Sequence, residues 1–88
     1  MVEVKKFGAS WCVPCRALAP ILTEIKSQFK NVLFTEHDVD EDFEEATKYS
    51  IRSVPTVILI KDGVEVDRII GLSSKSKYVG LITEQTNL

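Results

Sequence analysis

With 88 residues, 44% of them hydrophobic and 27% charged, and a net charge of −2, the chain has material for one hydrophobic core, and residues 1–88 are read as a single domain. The acidic balance, without a basic patch or stacking aromatics, gives no support to a nucleic-acid partner, and the longest apolar run, Val57 to Ile60, is far short of a membrane span. The N-terminus lacks the apolar segment of a secretory signal, and a reducing compartment keeps a cysteine pair for catalysis rather than for stapling, so a soluble cytoplasmic protein is expected.

The chain opens on a strand-like run, Val2 to Phe7. After a short turn, Trp11-Cys12-Val13-Pro14-Cys15-Arg16 begins a helix that extends from about Cys12 to Phe29, with Leu18, Ile21, Leu22, Ile25 and Phe29 at helical spacing. Pro20 removes a backbone donor inside it and predicts a kink. A second strand covers about Val32 to Val39. Asp40 then caps a short acidic helix that turns Phe43 and Ala46 inward ahead of Ile51. Thr56 to Ile60, the turn Lys61-Asp62-Gly63, and Val64 to Ile70 read as a β-hairpin. A terminal helix begins near Ser74 and faces Tyr78, Val79 and Ile82 to the core.

This order, βαβαββα, predicts an α/β fold: a four-stranded mixed sheet, order 2-1-3-4, flanked by three helices, with a right-handed crossover between the first two strands. Cys12 then stands at the carboxyl end of the first, central strand, where open α/β sheets place their ligand sites. The second strand becomes an edge with little cover on one face.

Cys12 and Cys15 are three positions apart on one helix face, close enough to close a small disulfide or open to a dithiol without moving the scaffold. Zinc requires four ligands, and beyond the two cysteines the chain offers a single histidine, His37. Haem attachment requires a histidine directly after the second cysteine, where Arg16 stands. A structural bridge over so short a loop constrains little of the unfolded chain. Redox catalysis is the reading these residues favour. Cys12, at the helix N-terminus, meets unpaired backbone N–H groups and the positive end of the helix dipole, so its pKa should fall below about 8.5 and make it the nucleophile. Cys15, further along the helix, is the resolving thiol.

The run from Phe7 through Trp11-Cys12-Val13-Pro14-Cys15-Arg16 to Leu22 resembles the active-site strand and helix of the thioredoxin family. Ser53-Val54-Pro55-Thr56 resembles its cis-proline turn, and Lys61-Asp62-Gly63 followed by Ile70-Gly71 resembles its final hairpin and glycine loop. The resemblance covers essentially the whole chain, although Met1 opens almost at the active-site strand, and the family's usual first strand and first helix have no counterpart here. It implies a minimal thioredoxin fold in which Cys12 and Cys15 reduce protein disulfides. A monomer is expected, supplied with electrons by a thioredoxin-reductase-like flavoprotein or a small thiol and acting on disulfide-containing client proteins, and the residues indicate neither a metal nor a tightly bound organic cofactor. Pro55 is expected in cis, with the Val54 backbone free to pair with a substrate. Trp11, Val13, Pro14, Val54, Ile70 and Gly71 are expected to form a shallow apolar landing surface, with Arg16 either adding positive potential or simply solvated.

One position departs from the family pattern. Thioredoxins carry a buried aspartate six residues before the first cysteine and a lysine across from it; here those places hold Lys6 and Glu36, the same pair with its charges reversed. Either Glu36 takes up the Cys15 proton, directly or through water, with Lys6 as its buried partner, or both side chains reach solvent. Two further alternatives stay open. Glutaredoxins share the short length, but they carry Gly-Gly and an acidic helix cap for glutathione where this chain has Gly71-Leu72-Ser73-Ser74. A redox-independent protein-binding module is the other.

Overall fold

A computed structural model describes residues Met1 to Thr86. The elements are β1 (Val2–Gly8), α1 (Val13–Gln28), β2 (Val32–Asp38), α2 (Phe43–Lys48), β3 (Thr56–Lys61), β4 (Val64–Ile70) and α3 (Lys75–Thr86). They form one four-stranded sheet in the order β2-β1-β3-β4, with β2 parallel to β1 and both remaining neighbour pairs antiparallel. This is the predicted architecture.

Period-two alternation in β1 divides its side chains between two layers. Val2 and Val4 join Leu18, Leu22 and Ile25 of α1 and Tyr78 and Ile82 of α3 in the larger core. Phe7 points to the opposite face, where it meets Ile58, Ile60 and Ala46 of α2. Burial of β3 on both faces follows from its central place, and its sequence is accordingly a continuous apolar run. The hairpin to β4 turns through Asp62 and Gly63, both at positive φ, which is the backbone of a tight primed turn.

Helix α1 includes Pro20, Pro14 occupies its first turn, and Cys12 is its N-cap, as the expected start near Cys12 requires. Other local details differ from the expectation. The cap of α2 is Asp42, which accepts the Glu45 N–H; Asp40 is engaged elsewhere. Phe43 is 75% exposed, because α2 is so short that only Ala46 among its residues reaches the core. No helix among the described residues is long and apolar enough to cross a membrane.

Candidate functional site

Sheet register brings three chain segments to one end of the sheet. Phe7 pairs with Thr56, and Thr56 pairs with Ile70. The carboxyl end of β1, the start of β3 and the end of β4 therefore converge, carrying the Cys12 turn, Pro55 and Gly71. Cys12 and Cys15 are joined as a disulfide, with Cα atoms 5.3 Å apart. The Cys12 N–H is held by the Ala9 carbonyl, and its Sγ accepts the Cys15 N–H at 3.2 Å, filling the capping role usually taken by a side-chain oxygen. A donor already aimed at this sulfur, at the positive end of a 16-residue helix, stabilises negative charge there.

Both cysteines are buried in this oxidised form, Cys12 at 4% exposure. The apolar groups around them stand out: Trp11, Val13 and Ile70 are each more than 60% exposed, and Leu72 nearly half. Nothing in the sequence marks Leu72, which reads there as an ordinary loop residue. Trp11 is held by its indole N–H, which donates to Asp40 at 2.9 Å. Arg16 turns its guanidinium back to the Ser10 carbonyl at 3.0 Å.

The Val54–Pro55 peptide bond is cis. Pro55 is fully buried, and its carbonyl accepts the Gly71 N–H at 2.8 Å, tying the proline turn to the glycine loop. Gly71 adopts a φ of +85°, a conformation that residues with side chains rarely take. Beneath it the buried Tyr78 hydroxyl accepts the Ser73 N–H at 3.1 Å and donates to the Gly71 carbonyl at 3.4 Å. Burial pushes the Tyr78 phenol up, against the hydrogen bond from Ser73, and the net shift is upward. Tyr78 and Asp40 are site-shaping residues that the sequence does not announce, since one reads as core and the other as a helix cap.

The sheet register sets Lys6 opposite Glu36 on the α1 side of the sheet. Lys6 is buried, its ammonium 3.6 Å from the Glu36 carboxylate and 3.5 Å from the Cys15 carbonyl oxygen. The Glu36 side chain is 74% exposed. The ion pair thus exists, with one partner inside and the other in water. Beside it lies an open pocket of about 370 Å³ lined by Lys6, Gly8, Cys15, Ala19 and Glu36 among others, which leads from solvent to the second cysteine. Gly8 keeps this floor clear: a Cβ there would lie 3.3 Å from Cys15 Sγ and 3.7 Å from Lys6 Cε.

A second polar group occupies the opposite face. His37 stacks on Phe7 and shares a 2.7 Å hydrogen bond with Asp42, which holds the Asp42 carboxyl below its ordinary value. Nearby, Lys5 bridges Glu3 and Glu45; burial lowers the ammonium, but the two carboxylates outweigh it and the net shift is upward. These contacts anchor α2 to the sheet, away from the thiols.

A cysteine pair at the carboxyl end of a central strand, capping a helix and facing a cis-proline turn, defines a thiol–disulfide oxidoreductase. The thioredoxin family model matches residues 2–84, and the chain belongs to that family. It is 39% identical over 80 residues to a thioredoxin of Chlamydia caviae, covering 91% of this chain and 78% of that one. Its match to a thioredoxin H-type 1 of Nicotiana tabacum, 47% identical over 75 residues, covers 80% of this chain and 60% of the relative. Among solved structures, a mutant thioredoxin of Halobacterium salinarum superposes with a TM-score of 0.93 at 34% identity, covering 99% of this chain and 76% of that one. The thioredoxin of Fasciola hepatica superposes at 0.89 and 40% identity, covering 96% and 80%.

Proposed function

We propose that residues 1–88 act as a single thioredoxin-like domain, a cytoplasmic monomer that reduces disulfides of client proteins and is re-reduced by a thioredoxin-reductase-like flavoprotein. The observation that carries the roles within the pair is the hydrogen bond from the Cys15 N–H to Cys12 Sγ at the head of α1. Stabilised as a thiolate, Cys12 attacks one sulfur of the client disulfide; that bond breaks, a mixed disulfide forms, and the first client thiol leaves. Cys15, once deprotonated, attacks Cys12 Sγ and displaces the second client thiol. Two electrons have passed to the client, and the chain holds the Cys12–Cys15 disulfide.

Trp11, Val13, Pro14, Ile70 and Gly71 supply the surface on which the client rests, and Val54 offers its backbone beside Pro55. Exposure of the apolar members of this group around two buried sulfurs supports that reading. Lys6 and Glu36 complete the site below Cys15. Their geometry favours Lys6 as the charged group nearest the resolving sulfur and Glu36 as its solvent-facing counter-charge.

Insulin-disulfide reduction, with Cys12→Ser and Cys15→Ser as controls, tests the activity. Equilibration of the pair against glutathione and dithiothreitol buffers tests its direction. A potential near roughly −270 mV agrees with a disulfide reductase, whereas one near roughly −200 mV favours glutathione coupling. A tight protein complex that survives both serine substitutions, with no insulin reduction, would replace the redox reading by a binding module.

A further inference from the structure

Lys6 is the only charged residue buried among the described residues, at 9% exposure. Its Cε and the Cys15 Sγ both lie within 4 Å of the point where a Cβ on Gly8 would stand, so the buried cation and the resolving sulfur share one small space. The counter-charge is poorly placed to cancel its field. Glu36 is 3.6 Å from the ammonium but its side chain is 74% exposed, and a carboxylate in water is screened far more than an ammonium in the interior.

The other charged and titratable groups around this pocket do not compete. Arg16 directs its guanidinium to the Ser10 carbonyl. Asp38 accepts the Asp40 N–H, and the His37 ring is turned to Asp42 on the far face. Lys26 lines the neighbouring pocket along α1, with Val4, Leu22 and Phe34, and adds charge of the same sign as Lys6 at longer range.

We propose that the Lys6 ammonium prepares Cys15 for the resolving step by lowering the pKa of its thiol, in place of a carboxylate base that would remove the proton. The inference rests on the reading of Cys15 as the resolving thiol. Burial alone pushes a thiol up and leaves it protonated at neutral pH. The Lys6 positive charge, 3.5 Å from the Cys15 carbonyl oxygen, acts in the opposite sense, by about one to two pKa units at the effective dielectric of a half-buried site. The Cys15 proton leaves to water through the open pocket before the step. The thiolate then attacks Cys12 Sγ, the Cys12–client bond breaks as the Cys12–Cys15 bond forms, and the departing electron pair goes with the client sulfur, which takes a proton from solvent. Lys6 is a positioning residue for charge: it holds the thiolate and exchanges no proton.

This assignment makes Glu36 and Lys6 act in opposite directions, which an experiment can separate. In a Cys12→Ser background Cys15 is the sole thiol, and its ionisation is followed by thiolate absorbance across a pH series. Lys6→Met is expected to raise the midpoint by about one unit, a roughly tenfold loss of thiolate at neutral pH, and Lys6→Arg to restore it. Glu36→Gln is expected to lower the midpoint, because the ammonium then acts without its counter-charge. An unchanged midpoint in Lys6→Met overturns the proposal. If Lys6→Met does not fold, Lys6→Gln takes its place, and an unchanged midpoint there overturns the proposal; a midpoint in Glu36→Gln above that of the parent overturns it as well, because loss of a counter-charge cannot weaken the field of the ammonium. The titration is independent of turnover, so a chain that fails to reduce insulin yet shows these shifts loses the proposed function and keeps the Lys6–Cys15 coupling.

Discussion

The Trp11 indole donates a hydrogen bond to Asp40 at 2.9 Å, joining the residue before the first cysteine to the loop that follows β2. Trp11 is otherwise 64% exposed, so this bond is what gives its large apolar surface a defined orientation. Asp40→Ala is expected to raise KM for insulin about threefold, the effect of losing about 0.5–1 kcal/mol of ordering at an exposed site, while leaving reduction of a small aromatic disulfide unchanged. The single tryptophan provides the check, since its fluorescence should shift to the red as the freed ring becomes more mobile in water. Unchanged fluorescence together with unchanged KM would mean that the ring is held by its packing alone.

Tyr78→Phe removes a hydroxyl that bonds both Ser73 and Gly71 while retaining the ring in the core. The loss should be about 1 kcal/mol, or about 4–8 °C in Tm for a domain of this size. The KM for a protein disulfide should rise, because the loop carrying Gly71 loses its tether from below.

The alkaline limb of stability carries the same residue's signature. The folded-state pKa of Tyr78 is raised, so its contribution to stability is complete below the ordinary value of 10.0 and is lost as pH rises through the folded value. Denaturant midpoints measured from pH 9 to pH 11 should fall more steeply in the parent than in Tyr78→Phe; parallel curves would remove Tyr78 as the cause.

The acid limb has the opposite sign. A hydrogen bond from His37 lowers the Asp42 carboxyl, and the Arg68 guanidinium, bonded to Glu65, lowers the Glu65 carboxyl. Depressed folded-state values mean stability that is complete above the ordinary values of 3.8 and 4.5 and is lost as pH falls through the folded ones. Asp42→Asn and Glu65→Gln should each reduce Tm at pH 7 and make the decline between pH 5 and pH 2 shallower. Equal slopes in thermal melts across that range would disprove the linkage.

Gly8→Ala tests how tightly the floor of the site is packed. The new Cβ would stand 3.3 Å from Cys15 Sγ, closer than ordinary van der Waals contact, with Lys6 Cε only slightly further away. The oxidised chain should lose about 1–3 kcal/mol, and closure of the Cys12–Cys15 disulfide in a single-turnover assay should slow. A melt and a closure rate equal to the parent's would show that Cys15 has room to shift.

The elements and their order are legible in the chain because their signals are local. Helical spacing from Leu18 to Ile25, the continuous apolar run of β3 and the Asp62-Gly63 turn are each encoded within a few residues. The Cys12–Cys15 spacing is local as well, and by itself it limits the chemistry to a few readings. What each polar side chain does is decided by tertiary structure. Asp40 reads as a helix cap, and the loop's path hands it to Trp11 while Asp42 takes the cap. Phe43 reads as core, and a six-residue helix turns it outward. Tyr78 reads only as core, until the crossing of α3 beneath the Gly71 loop places its hydroxyl there. Lys6 and Glu36 can be matched by position, but their unequal burial comes from α1 covering β1 and leaving the face of β2 open. Periodicity records which way a residue faces relative to its own neighbours, whereas its partner and its dielectric surroundings depend on segments far away in sequence that only sheet register and helix packing bring together.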